Sequence, residues 1–304
     1  MSIASEITRI KTNISNAYTK LEEKGATIPE AKNSENLTAC IDSVSVGGGG
    51  SATKYGIPIG AYLGDVDENG MLQKPNETFD FVGTGIKDIG ANILQQKFSS
   101  NTGVAKVSFP DLVTVSGTYA LQNAFQSSNV TSVEFNELVT VNATYALSGC
   151  FSNCKGLTSA NLNKLTTISN SYSCQNMFYG CSSLSDLQMD SLTTIDGSQT
   201  CRSMFESCKN LKSINLDNLT TIKGTRACYN MFRACTGLTS VSFPSLTTIS
   251  SVDVFGNDQT SCMFYGSTGI TEIHFRADMQ SVIEGLTAYQ WNLGATNATI
   301  YYDL

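Results

Sequence analysis

Hydrophobic positions between residues 104 and 276 recur in one block. Stretches starting at Leu157, Leu184, Leu211 and Leu238 read LTSANLNKLTTI, LSDLQMDSLTTI, LKSINLDNLTTI and LTSVSFPSLTTI, each start 27 residues beyond the last. Earlier copies open at Val130 (VTSVEFNELVTV) and Val104 (VAKVSFPDLVTV), which makes six full units. A final half-copy, ITEIHF, opens at Ile270 after a step of 32, the extra length falling in SSVDVFGNDQT. A degenerate half-copy, IKDIGANILQQKFSSN, precedes the first full unit and makes a natural cap.

Each unit carries two periods. In the first half, Leu238, Val241 and Phe243 are spaced for a short strand with one buried face. In the second, Cys174, Met177, Phe178 and Cys181 fall at i, i+3, i+4 and i+7, the stripe of a short helix. A unit this short cannot bury its apolar face alone, so neighbours must stack into one continuous core. The pattern predicts an α/β repeat solenoid with a strand and a short helical segment per unit. It is expected to be right-handed, with Phe178, Phe205 and Phe232 aligned inside.

The ends divide differently. Ile3, Ile7, Ile10, Ile14, Ala17 and Leu21 form an a/d seam over about three heptads. Ile at both core positions favours trimers or tetramers over dimers, with a trimeric coiled coil weighed against a helical hairpin with Leu37, Cys40, Ile41 and Val44. The expected layout is a helical or coiled-coil attachment segment over 1–46 and a Gly-rich linker over 47–52. A β-hairpin connector over 53–83, the solenoid over 84–286 and a C-terminal cap over 287–304 complete it. Asp65, Asp67 and Asn69 mimic half a calcium loop. Position twelve is Asn76 instead of a bidentate Glu, so a tight Asn69-Gly70 turn is the reading.

Composition narrows the function. The formal charge is -7 with 15% charged residues, which argues against a nucleic-acid surface. No apolar run is long enough for a membrane helix, and MSIASEITRIKTN lacks a secretory layout. The expectation is a soluble chain that is not exported by the general route. Seven of the ten cysteines align in two columns: Cys174, Cys201 and Cys228 in one, Cys154, Cys181, Cys208 and Cys235 in the other. Helix-packing distances of about 8–10 Å would keep equivalent thiols apart, so they are expected as free, buried side chains. No CxxC pairs support a metal ladder, and no cofactor is expected. The single histidine, His274, reads as an ordinary strand residue and not a catalytic base.

The pattern resembles the leucine-rich repeats of the BspA-like family, carried by VSFPSLTTI (Val241 to Ile249) and MFYGCSSL (Met177 to Leu184). That resemblance covers roughly residues 84–276 and implies a binding or adhesion module without catalysis. The N-terminal KGATIPEAKNSENLTACIDSV looks like segments of tail and other structural proteins of phages and prophages of Gram-positive bacteria. The C-terminal IHFRADMQSVIEGLTAYQWNLGATNATIYYDL is similar to the ends of repeat proteins from such phages and from gut bacteria. These likenesses imply a tail-fibre or receptor-binding component made in the bacterial cytoplasm and carried on a virion tail. Its partners would be a host surface glycan or protein and other tail proteins. A bacterial surface adhesin is the alternative setting.

Candidate contact residues follow from the repeat. On the strand face one column runs Ser108, Glu134, Asn161, Gln188, Asn215, Ser242 and His274, and beside it runs Lys106, Ser132, Ser159, Asp186, Ser213, Ser240 and Glu272. An amide ladder through Asn161, Gln188 and Asn215 suits a glycan, and it equally suits a solvated sheet. The other half of the unit places Tyr119, Tyr145, Tyr172, Gln199 and Arg226 in one column. A second holds Gln126, Ser152, Tyr179, Glu206, Arg233 and Tyr265. Tyr and Arg are common interface anchors. A glycan hydrolase would need two carboxylates flanking a groove, and only Glu134 and Asp186 come near.

Overall fold

The computed structural model of the chain describes residues 17–19, 78–256, 261–286, 295 and 297–304. The apolar alternation folds into short strands, here numbered along the chain. The first eight are β1 (Phe79–Val82), β2 (Asp88–Ile89), β3 (Val104–Ser108), β4 (Thr114–Val115), β5 (Ser132–Glu134), β6 (Thr140–Val141), β7 (Ser159–Asn161) and β8 (Thr167–Ser169). They continue as β9 (Asp186–Gln188), β10 (Thr194–Asp196), β11 (Thr221–Lys223), β12 (Ser240–Phe243), β13 (Thr248–Ile249), β14 (Glu272–Phe275) and β15 (Thr299–Tyr302).

All strand pairs in these ladders are parallel, so each coil of chain lies on the next. The first side of the coil carries β1-β3-β5-β7-β9 and, further on, β12-β14-β15. Residues 213–215 hold the equivalent place between these two sheets but are not in strand geometry. The second side carries an unbroken order β2-β4-β6-β8-β10-β11-β13. Ser108, Glu134, Asn161 and Gln188 are partners in register, as the repeat spacing predicts. Val107, Val133 and Ala160 point inward from one side and Val115, Val141, Ile168, Ile195 and Ile222 from the other, all buried.

The third side corrects the expected helix. Among the described residues no unit contains one; the described helical residues are 17–19, the short turn Ala277–Met279 and the helix Gln280–Leu286. Each unit instead has a run of consecutive turns with a period of four. Two residues point in and two point out, as with buried Ser173, Cys174, Met177 and Phe178 against half-buried Gln175, Asn176, Tyr179 and Gly180. Left-handed residues recur at every fourth position: Tyr119, Asn123 and Ser127, then Tyr145, Gly149 and Asn153, then Tyr172, Asn176 and Gly180.

Hydrogen bonding shows why this backbone holds. Alternate amides bond within the coil, as Ala124 N to Leu121 O at 3.1 Å, or to the next coil, as Phe125 N to Cys150 O at 2.8 Å. The inter-coil bonds offset the roughly 1–2 kcal/mol that a left-handed non-glycine residue costs. At Gly149, with φ of +63°, a Cβ would lie 2.1 Å from Asn123 Oδ1, so only glycine fits beneath that side chain. Apolar residues at i, i+3, i+4 and i+7 fit a period of 3.6 or of 4 almost equally over eight residues. The stacked neighbour decides between them.

The core between the three sides is a column of phenylalanines. Phe98, Phe125, Phe151, Phe178, Phe205, Phe232 and Phe264 stack one per coil, with centroids 5.3–5.8 Å apart and planes within 11°. Phe178, Phe205 and Phe232 are thus aligned as expected. At the C-terminal end Met279, Ile283 and Leu286 are buried, and β15 continues the ladder through its parallel pairing with β14. At the other end β1 pairs with β3 ahead of residue 84. Among the described residues no helix is long and apolar enough to cross a membrane.

Candidate functional site

The outward residues of the turn runs form regular columns, because every run has the same backbone and its neighbour lies one strand spacing away. The Tyr119 and Tyr145 rings stack at 5.2 Å and 12°, and Tyr145 and Tyr172 at 4.8 Å and 2°. Tyr145 therefore has a ring on both faces and Tyr119 and Tyr172 on one face each, so the strip presents mainly edges and hydroxyls. Partial burial, with Tyr172 and Tyr119 on either side, raises the Tyr145 phenol above its ordinary value. The column continues in polar form. Gln199 Nε2 donates to Tyr172 Oη at 2.9 Å, and Arg202 Nη1 donates to Gln199 Oε1 at 2.7 Å.

Arginines gather at the next coils. The Arg202 guanidinium lies 5.1 Å from the centre of the Tyr229 ring, and Arg226 lies 5.9 Å from the same ring. Arg226 Nε is 3.7 Å from Asp253 Oδ2. Arg233 Nη1 meets Glu206 Oε1 at 2.6 Å, with the carboxylate side chain only 8% exposed, and the guanidinium sits 5.3 Å from the Tyr265 ring. Tyr179 occupies the same column as Glu206, half-buried. The sequence columns thus hold in space: Tyr119, Tyr145 and Tyr172 join, and so do Arg233 and Tyr265.

On the strand side, Asn161 and Gln188 are neighbours in register, and two carbonyls of the amide ladder are already engaged. Asn161 Oδ1 accepts from Asn163 N at 3.0 Å, and Asn215 Oδ1 accepts from Asp217 N at 2.9 Å. Both carbonyls shape the turn that follows, and Asn215 lies where the ladder is interrupted. Glu134 and Asp186 stand two coils apart in adjacent columns. His274 is bound into the C-terminal strands. Its Nδ1 is 3.0 Å from Asp303, Nε2 is 3.5 Å from Glu272, and its ring stacks on Tyr301 at 4.7 Å.

Cys150, Cys154, Cys174, Cys181, Cys201, Cys208, Cys228 and Cys235 are buried and unbridged. Coils stack at strand spacing, not at helix-packing distance, so distance alone does not separate these thiols as expected from a helix. Burial pushes the thiols up, Cys228 and Cys235 to about 12.

The sequence reading missed Arg202 and Tyr229. They share a column with Gln95, Gln122 and Gln175, which a helical wheel places beside the apolar stripe and a four-residue period turns outward. The 27-residue steps from Gln175 to Arg202 to Tyr229 were the available signal. Ile3, Ile7, Ile10, Ile14 and Leu21, the linker over 47–52 and the Asp65 to Asn76 turn lie outside the described residues.

The family model for the BspA type leucine-rich repeat region matches in six copies, over residues 84–201, 123–261 and 174–293. Among solved structures the chain is similar to a leucine-rich repeat protein of T. pallidum, 15% identical, covering 66% of this chain and 69% of that one with a TM-score of 0.31. It is also similar to a leucine-rich cell surface protein of Faecalibacterium prausnitzii A2-165, 12% identical, covering 74% and 78% with a TM-score of 0.29. No curated protein matches the sequence.

Proposed function

The chain belongs to the BspA-type leucine-rich repeat family, and on that premise we propose that it is a non-enzymatic recognition module whose binding face is the stack of turns. The observation that carries this reading is the contrast between the sides. The strand face sets short serines beside single charged residues, Lys106, Glu134 and Asp186, and the Oδ1 atoms of Asn161 and Asn215 accept from their own backbone. The turn face sets Tyr, Gln and Arg side chains on one repeated backbone while their identity changes from coil to coil. A fixed frame with varied large polar side chains is what selective recognition of a surface requires.

The partner is a glycan or protein on a bacterial surface. The likeness of both chain ends to phage and prophage proteins supports a tail-fibre or receptor-binding component, with residues 1–46 joining it to other tail proteins. Three copies tethered through a trimeric seam would gain avidity from weak sites. The repeat family itself favours a second setting, an adhesin on a bacterial surface. Full-length chain with Tyr145→Ser and Tyr172→Ser should lose binding to host cells, while Ser159→Ala on the strand face keeps it. The reverse order of effects would refute the turn face as the site.

A further inference from the structure

We propose that the turn face binds an acidic polysaccharide laid along the solenoid axis, its anionic groups held by Arg202 and Arg226. This rests on the turn face being the recognition surface and names the ligand class.

The charge pattern is the first ground. The chain has a formal charge of -7, yet three guanidiniums, Arg202, Arg226 and Arg233, crowd onto two adjacent coils of this face. The carboxylates beside them are already engaged, Glu206 with Arg233 and Asp253 with Arg226. Arg202 meets no carboxylate among the described residues and instead bonds Gln199. Arg202 and Arg226 converge on the single ring of Tyr229, at 5.1 and 5.9 Å, and only Arg226 has a carboxylate beside it, Asp253 Oδ2 at 3.7 Å from its Nε and beyond hydrogen-bond distance. An anion bridging the two completes the charge balance and matches the planar fork of each guanidinium.

The second ground is periodicity. From Arg202 the polar relay runs through Gln199 to Tyr172, then along stacked Tyr145 and Tyr119, one side chain per coil. Since Tyr145 is covered on both faces and Tyr119 and Tyr172 on one each, this strip offers mainly hydroxyls and ring edges at strand spacing, roughly 5 Å. An extended sugar chain repeats at a comparable length and presents hydroxyls to match. A protein partner would need an apolar centre to its interface. Of the exposed large hydrophobics among the described residues, Val113, Val252, Val282, Tyr301 and Leu304, only Val252 lies on this face.

The test is calorimetry of the full chain against polygalacturonate, dextran sulfate, neutral dextran and poly-glutamate at low and moderate salt. The expected result is binding to polygalacturonate or dextran sulfate that weakens with salt; which polymer wins tells carboxylate from sulfate. Arg202→Gln should weaken it by at least about tenfold. Arg226→Gln should weaken it too, with unchanged thermal unfolding in both variants, while Lys164→Gln, whose partner Glu137 lies elsewhere, should bind normally. Affinity unchanged from the wild-type chain in both arginine variants overturns the proposal. So does poly-glutamate or neutral dextran binding as tightly as the acidic polysaccharides. Failure of both acidic polysaccharides in a chain that still binds cells overturns this assignment and leaves the turn-face reading standing.

Discussion

The Cys181 thiol donates a hydrogen bond to the backbone carbonyl of Phe151, 3.1 Å away in the preceding coil. Cys208 repeats it on Phe178 at 3.2 Å, Cys235 on Phe205 at 3.0 Å and Cys154 on Phe125 at 3.0 Å. At the end of the stack Ser267 takes the same role on Phe232 at 2.5 Å, and Ser128 Oγ donates to Phe125 within its own coil at 2.7 Å. This column therefore needs a small donor, and thiol and hydroxyl are interchangeable there. The Cys174 thiol makes no hydrogen bond among the described residues.

The two cysteine columns should respond oppositely to serine. Cys181→Ser keeps a donor and should change stability by less than about 0.5 kcal/mol, whereas Cys181→Val removes one of the two hydrogen bonds at the Phe151 carbonyl, the Cys154 amide keeping the other at 3.1 Å, and should cost about 0.5–1.5 kcal/mol. Cys174→Ser buries a hydroxyl without a partner and should cost about 1–3 kcal/mol. Urea melts decide it. Equal costs for serine in both columns would contradict the hydrogen-bond account.

The native thiols should resist alkylation near neutral pH, because burial holds them in the protonated form and out of reach. Unfolded protein should titrate nearly all ten cysteines. Several oxidised pairs in freshly purified, alkylated protein would show that stacked coils bring thiols close enough to bridge.

Phe205 has a stacked ring on both sides, Phe178 at 5.7 Å and Phe232 at 5.5 Å. Replacing it with Ala opens a cavity in the middle of a one-dimensional array and should cost about 3–5 kcal/mol in denaturant melts. A loss below about 1 kcal/mol would contradict the stack.

The C-terminal strand should loosen as pH rises from the ordinary histidine value through the raised value of His274. The Asp303 carboxylate, with Glu272 beyond it, raises the His274 imidazole above its ordinary 6.5 against the opposing effect of partial burial. A raised folded value means the stabilisation is full below the unfolded value and is lost as pH rises through the folded one. Local opening of Thr299–Tyr302 relative to the coils before it, corrected for intrinsic exchange, should increase across that window. His274→Gln should remove the dependence. A flat response in the wild-type chain would refute the clamp.

Much of this architecture was legible because the repeat is long and regular. A 27-residue step puts Asn161 beside Gln188 and Tyr145 beside Tyr172 whatever the local backbone, so columns follow from arithmetic. The local backbone was not legible. Cys174, Met177, Phe178 and Cys181 satisfy a helix as well as a run of turns, and the deciding bonds come from other coils, such as Asn176 N to Arg202 O at 2.9 Å. Left-handed Tyr172 and Arg226 carry no glycine-like signal. The misread period in turn hid Arg202 and Tyr229. The interruption at residues 213–215 has no mark in a sequence that keeps its repeat there.

The proposed recognition surface is the turn face and not the strand face. Hydroxyl-radical footprinting of the full chain, free and bound to host cells, tests it in one measurement, since tyrosines lie on both sides. Protection of Tyr119, Tyr145, Tyr172 and Tyr229 with Tyr301 unchanged is the predicted result. Protection of Tyr301 while the turn-face tyrosines stay reactive would contradict the account.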